Sequence, residues 1–386
     1  MTRRMIPIGL AALATVTFGT FGAGVAGSSP AAAAVSITPV ISGLNNPRGL
    51  AVDGRGALYV AEAGPYGEPF SNEPQEGVTS GGVSKYVNVG TSSQSLVWKS
   101  NLPGLYSNAN GIPEVIGASG VSAFGNGCMK NSNGNREGCS LVTIMGESQA
   151  GAGPVPHIGY LVGLNPGNGT ATDLADVGDQ NYAWTEDHQD LFPSDFPDSN
   201  PYGVLVTRVR GTGGQRTFVA DAGANTVNEV LANGTVRVIA YIPNDGVRDA
   251  TPTCVAQGPD GALYVGTLNL FKNGFGQNPG HSDVWRIDPD TSEGYLTAAQ
   301  LWTGGLTTVT SCAFDDSGNF WATEMFANDV VRVPFANPGS KVRIGDGATT
   351  PFPGGIAPAA DGGMFVSINS LTFVPDSGAV VKIAGW

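Results

Sequence analysis

Short apolar runs broken by turns rich in Gly, Asp and Asn recur along this chain, and their spacing predicts strands rather than helices. The clearest unit spans residues 46–62: Gly49-Leu50-Ala51-Val52, a turn Asp53-Gly54-Arg55-Gly56, then Ala57-Leu58-Tyr59-Val60-Ala61. An Asp-Gly turn between two runs of strand formers is a hairpin signature. The same hairpin returns over residues 254–266, 312–324 and 355–367. Two looser copies join residues 200–206 to 217–221 and residues 120–124 to 141–144.

Each hairpin is followed by two further strand-like stretches, such as residues 226–231 and 235–242, or 283–288 and 296–303. Four strands per repeat is a propeller blade, so six hairpins predict an all-β, six-bladed β-propeller, with seven blades as the competing count. The sixth hairpin has one strand after it, residues 379–383, while a lone strand, residues 36–40, precedes the first. Pairing the two would complete the last blade and close the ring, leaving no open edge. Residues 63–82, 101–119, 125–139, 178–199 and 269–282 show little periodicity and are expected to be long loops.

The first 34 residues stand outside this pattern. Arg3 and Arg4 open a small-residue apolar stretch that ends in Ala31-Ala32-Ala33-Ala34, which is expected to be a secretory signal peptide cleaved before Val35. The adjacent arginines leave the general and the twin-arginine export routes both open. A single propeller domain over residues 35–386 is then expected, secreted and a monomer. Cleavage removes two arginines and no acid, moving the net charge from −13 to −15. Such a charge argues against nucleic acid and anionic lipid as partners and leaves a small-molecule, glycan or protein ligand on the loop face. After the leader no apolar run approaches the length of a membrane helix. Four cysteines in an exported chain permit disulfides: Cys128 and Cys139 bracket a polar loop and are expected to close it, and Cys254 and Cys312 share one blade position in consecutive repeats, which would bring their strands side by side and makes them a second candidate pair.

Residues 46–51 with 57–63 resemble the opening blade of the ScyD/ScyE family. Residues 199–205 followed by 219–225 resemble its third blade, 252–266 its fourth and 159–162 its second. The resemblance covers nearly the whole chain after the leader. It implies an exported NHL-like propeller of a family associated with making an extracellular sunscreen pigment, without an agreed reaction. Two departures fall in blade two: the long cysteine-bounded insert, and the absence of charge over residues 117–124.

Aligning the second strands puts Glu62, Asp221 and Glu324 at one blade position, with Glu147 slightly out of step. Hard cations take several carboxylate and carbonyl oxygens, which makes these acids a candidate metal set and calcium the candidate ion. The competing role is local, each carboxylate accepting backbone N–H groups in its own turn. Arg48 and Tyr202 stand in matching Asn-Pro-x-Gly segments that lead into innermost strands, where they could bind an acidic or sugar-like ligand or anchor blades, Arg48 by pairing with one of the acids. Trp184, among Asp179, Tyr182, Glu186, Asp187, His188 and Asp190, is a third ligand candidate. His157, His188 and His281 have no metal-ligand spacing, and there is no Gly-x-Ser-x-Gly elbow or phosphate loop. A binding protein is therefore expected. The alternative is a metal-dependent hydrolase or lactonase-like enzyme with its site at the central channel.

Overall fold

The computed structural model describes residues 35–65, 77–107, 114–124, 140–192, 197–208, 214–271 and 279–386. The leader and the Cys128–Cys139 pair lie outside the described residues. The chain forms six four-stranded antiparallel blades in sequence order, a six-bladed β-propeller. Blade one runs Pro47–Val52, Leu58–Glu62, Gly77–Val87 and Ser95–Lys99. Blade three, equally regular, runs Pro201–Arg208, Gln215–Asp221, Thr226–Val230 and Val236–Tyr241. The ring closes as expected: Ser36–Leu44 pairs antiparallel with Gly378–Ala384, so the first described strand supplies the outer strand of blade six.

Strand alternation explains the packing. In Leu58–Glu62, Leu58 and Val60 face blade six, where they meet Phe365 and Val380, while Tyr59 and Ala61 face blade two and meet Val121 and Val162. A side-chain period of two thus sends alternate residues into the two neighbouring junctions. Among the described residues six apolar clusters result, one at each blade junction. Each fully buried aliphatic side chain contributes about 1.5–3 kcal/mol.

The hairpin turns carry a second device. Tyr59 and Tyr264 donate their hydroxyls to Asp53 (3.0 Å) and Asp260 (3.2 Å), and the Trp321 indole N–H donates to Asp315 (2.8 Å). In these repeats the turn acid therefore tethers the aromatic ring that fills the next junction.

Near the axis the blades approach so closely that side chains must vanish. A Cβ on Gly203 would sit 2.6 Å from the Thr253 carbonyl oxygen, and one on Gly49 2.7 Å from that of Ser119. At the matching place in blade four stands Cys254, disulfide-bonded to Cys312 with a Cα–Cα separation of 5.7 Å. The two cysteines do not share one blade position, as their sequence context suggested. Cys254 is the second residue after Pro252, and Cys312 the third after the matching Val309. That offset of one turns Cys254 toward blade five and Cys312 toward blade four; at one shared position both would face the same way and could not meet.

Several stretches expected to be loops contain regular structure. Residues 63–82 run into the strand Gly77–Val87. Residues 101–119 hold Leu102–Ser107 and Glu114–Ile116, because that same strand is long enough to pair with a second set of partners beyond Ser95–Lys99. Residues 178–199 hold most of the helix Val177–Asp187. Leu270–Phe271 pairs with Arg248–Asp249. Residues 125–139 lie outside the described residues.

Candidate functional site

A four-stranded meander alternates ends, so the connection into each inner strand and the connection from second to third strand leave the ring together. We call this end the mouth. Glu62, Asp221 and Glu324 are the last residues of their second strands, opposite Pro47, Pro201 and Val309. The shared position expected from sequence is therefore present in the register, and all three side chains are buried.

The three carboxylates nevertheless turn to partners at their own blades. Glu62 accepts from Asn45 N (2.9 Å) and Ser84 Oγ (3.0 Å) and pairs with Lys99 (2.9 Å). Asp221 accepts from Ser199 Oγ (2.6 Å), Asn181 Nδ2 (2.7 Å), Asn200 N (2.8 Å), Ala224 N (3.0 Å) and Gly223 N (3.1 Å). Burial pushes its carboxyl up, and these donors pull it back. Glu324 accepts from Thr307 N and Arg343, and Arg343 also reaches Asp329 at 3.3 Å. Burial lifts the Asp329 carboxyl to about 6. Among the described residues no group of three or more His, Cys, Asp and Glu side chains stands close enough to hold a metal ion.

Arg48 and Tyr202 do come together. Each occupies a bulge at the second residue of an inner strand, between Pro47 and Gly49 in blade one and between Pro201 and Gly203 in blade three. A bulge re-aims its side chain out of the ladder. The Arg48 guanidinium lies 5.7 Å from the Tyr202 ring centroid and donates through Nη2 to the Val115 carbonyl (2.5 Å). The expected pairing of Arg48 with an acid of the ring is not what holds it: among the described residues no carboxylate lies within ion-pair distance. Both side chains are half-buried.

Trp184 is elsewhere. Its helix starts where the Asp176 side chain caps the N–H of Asp179 (3.0 Å) and lies along the outer strand of blade three, Gln180 bonding both Gly234 O and Val236 N. Trp184 stacks on His188 (4.2 Å) and meets Tyr295 edge-on (5.7 Å) and Tyr241 at 6.4 Å. It therefore packs at the end of the outer strand of blade three, not on the inner strands that carry Arg48 and Tyr202. The helix was legible after all: residues 179–192 contain neither Gly nor Pro, and Asp176 is a good N-cap. Val115, which anchors Arg48, was missed; it falls within the stretch read as a loop.

The fold and this geometry define a six-bladed β-propeller whose mouth carries an arginine with no acid partner among the described residues. No protein-family model and no curated protein matches the chain in sequence. Among solved structures it is similar to a luciferin-regenerating enzyme (12% identity, TM-score 0.50, covering 91% of this chain and 96% of that one). It is also similar to a structural-genomics protein of unknown function from Bacteroides thetaiotaomicron (12% identity, TM-score 0.53, covering 91% and 76%). Likeness at this identity shows the fold alone.

Proposed function

We propose that the chain is an exported propeller of the ScyD/ScyE type that binds a small acidic ligand at its mouth through Arg48 and Tyr202, without turnover. The observation that carries this is the setting of Arg48. In a chain with 32 acids and 19 Lys and Arg, a half-buried guanidinium held by one carbonyl and one ring leaves its charge unmatched among the described residues. A half-dehydrated cation gains most from an anion that it can grip bidentately. The family placement rests on residues 46–63, 159–162, 199–225 and 252–266, and the Cys254–Cys312 bridge supports an oxidising compartment.

Binding is preferred to catalysis on the sequence, which carries no Gly-x-Ser-x-Gly elbow and no phosphate loop. A metal-dependent hydrolase would need a donor set that Glu62, Asp221 and Glu324, each engaged at its own blade, do not form. The test is a thermal-shift screen of the wild type and Arg48→Met against carboxylates, neutral sugars and amines. Stabilisation by carboxylates alone, lost in Arg48→Met, is expected. Equal response of the two proteins would overturn the proposal, as would preference for neutral sugars. N-terminal sequencing of the protein recovered from the medium should begin at Val35.

A further inference from the structure

If Arg48 binds an acid, as proposed, its surroundings bear on what kind of acid it takes. Val115, the residue whose carbonyl receives the guanidinium, forms a small apolar cluster with Ala63 and Tyr106, separate from the six junction cores, and Phe373 packs on it. Phe373 lies on the second-to-third-strand connection of blade six, between Met364–Ile368 and Gly378–Ala384.

That connection is fastened across the ring closure. Thr372 N donates to Asn46 Oδ1 (2.9 Å), Asp376 N donates to Asn45 Oδ1 (2.9 Å), and Ser370 N donates to the Phe352 carbonyl (3.0 Å). It thus bridges the segment that carries Arg48 and the one that carries Phe352. It displays Val374, which is 62% exposed, beside the exposed Pro375 and Asp376, and the segment it is fastened to displays Phe352, 37% exposed. Phe352 also adopts φ +43°, the left-handed region that a bulky side chain avoids, with its N–H held by Asn328 Oδ1 (2.9 Å) and its ring against Phe326 at 6.5 Å. Structures retain such a conformation where surrounding contacts enforce it, commonly at ligand sites.

A hydrophilic acid would match the charge of Arg48 and leave this apolar shelf in water. We infer that the ligand is an amphipathic carboxylate, its head on Arg48 and a flat or chain-like apolar body against Phe373 and Val374. Exposed apolar groups on the connection that packs on Val115, together with an arginine that has no acid partner among the described residues, are complementary to that chemistry and to neither a neutral sugar nor an amine.

Calorimetric titration with 2-naphthoate, octanoate and gluconate tests this on the wild type, Arg48→Met, Phe373→Ser and Val374→Ser. Val374 is the safer variant because most of its side chain is already in water. The better of the two apolar acids should bind at least ~10-fold more tightly than gluconate. Val374→Ser should weaken it ~3-fold and leave gluconate unchanged. A preference for 2-naphthoate would identify a flat body, and one for octanoate a chain. If gluconate binds as well as either and the loss in Arg48→Met is equal for all three, the amphipathic ligand is refuted while acid binding at Arg48 stands. If no carboxylate binds, or Arg48→Met binds like the wild type, both fall.

Discussion

Replacing Cys254 and Cys312 by Ala should lower the thermal midpoint by about 6 °C. The bridge links residues 58 apart in sequence and encloses blade four from its inner strand onward. Closing a loop of that length removes chain entropy from the unfolded state worth about 4 kcal/mol at 25 °C. A domain of this size has an unfolding entropy near 0.7 kcal/mol per degree, from which the midpoint shift of about 6 °C follows. Scanning calorimetry should show nearly equal losses for Cys254→Ala, Cys312→Ala and the double variant, because breaking either end opens the same loop. Small losses that add between the two single variants would mean that only local packing had changed, and would refute the entropic argument.

Asp221→Ala, which strands five donors around a buried site, should cost about 3–5 kcal/mol in urea unfolding; a loss under ~1 kcal/mol would show the network to be dispensable. Gly203→Ala places a Cβ 2.6 Å from the Thr253 oxygen and should cost about 1–3 kcal/mol by the same assay, with Gly246→Ala, whose surroundings are open but whose φ is +91°, as the strained-backbone control. The Glu229 carboxyl, although buried, is held low by Arg216 and Arg237, so its stabilisation is present above the ordinary carboxylate range and lost as pH falls through its lowered pKa; Glu229→Gln should flatten the acid limb of a pH–midpoint curve. Asp329 runs the other way: lifted to about 6, it binds a proton more readily folded than unfolded, so stability should fall as pH rises from about 4 to 6, and Asp329→Asn should abolish that slope.

Much of the fold was written in period-two strands and Asp-Gly turns, because those features are local. The hairpins, the blade count and the closing strand could all be read from them. The unreadable parts depend on length and offset. Gly77–Val87 outgrows its first partners and recruits Leu102–Ser107, which no local pattern announces. Cys254 and Cys312 looked equivalent until the bulge at Thr253 and the one-residue offset between them set their directions. At the site, Arg48 and Tyr202 were visible because both follow Asn-Pro and both precede Gly, which marks one bulge in two blades. The three acids were correctly aligned by the same logic, but sharing a position around a ring says nothing about convergence, which the donors at each blade decide. Phe373 and Val374 carried no motif; the connection that holds them is fastened across the ring closure to Asn45 and Asn46, which precede Arg48 in the chain.

A crystal structure with 2-naphthoate bound would test the central claim most directly. The account predicts the carboxylate on the Arg48 guanidinium, with N···O distances of about 2.7–2.9 Å, beside the Tyr202 ring. A ligand ordered elsewhere, or Arg48 turned to a carboxylate of the protein itself, would contradict it.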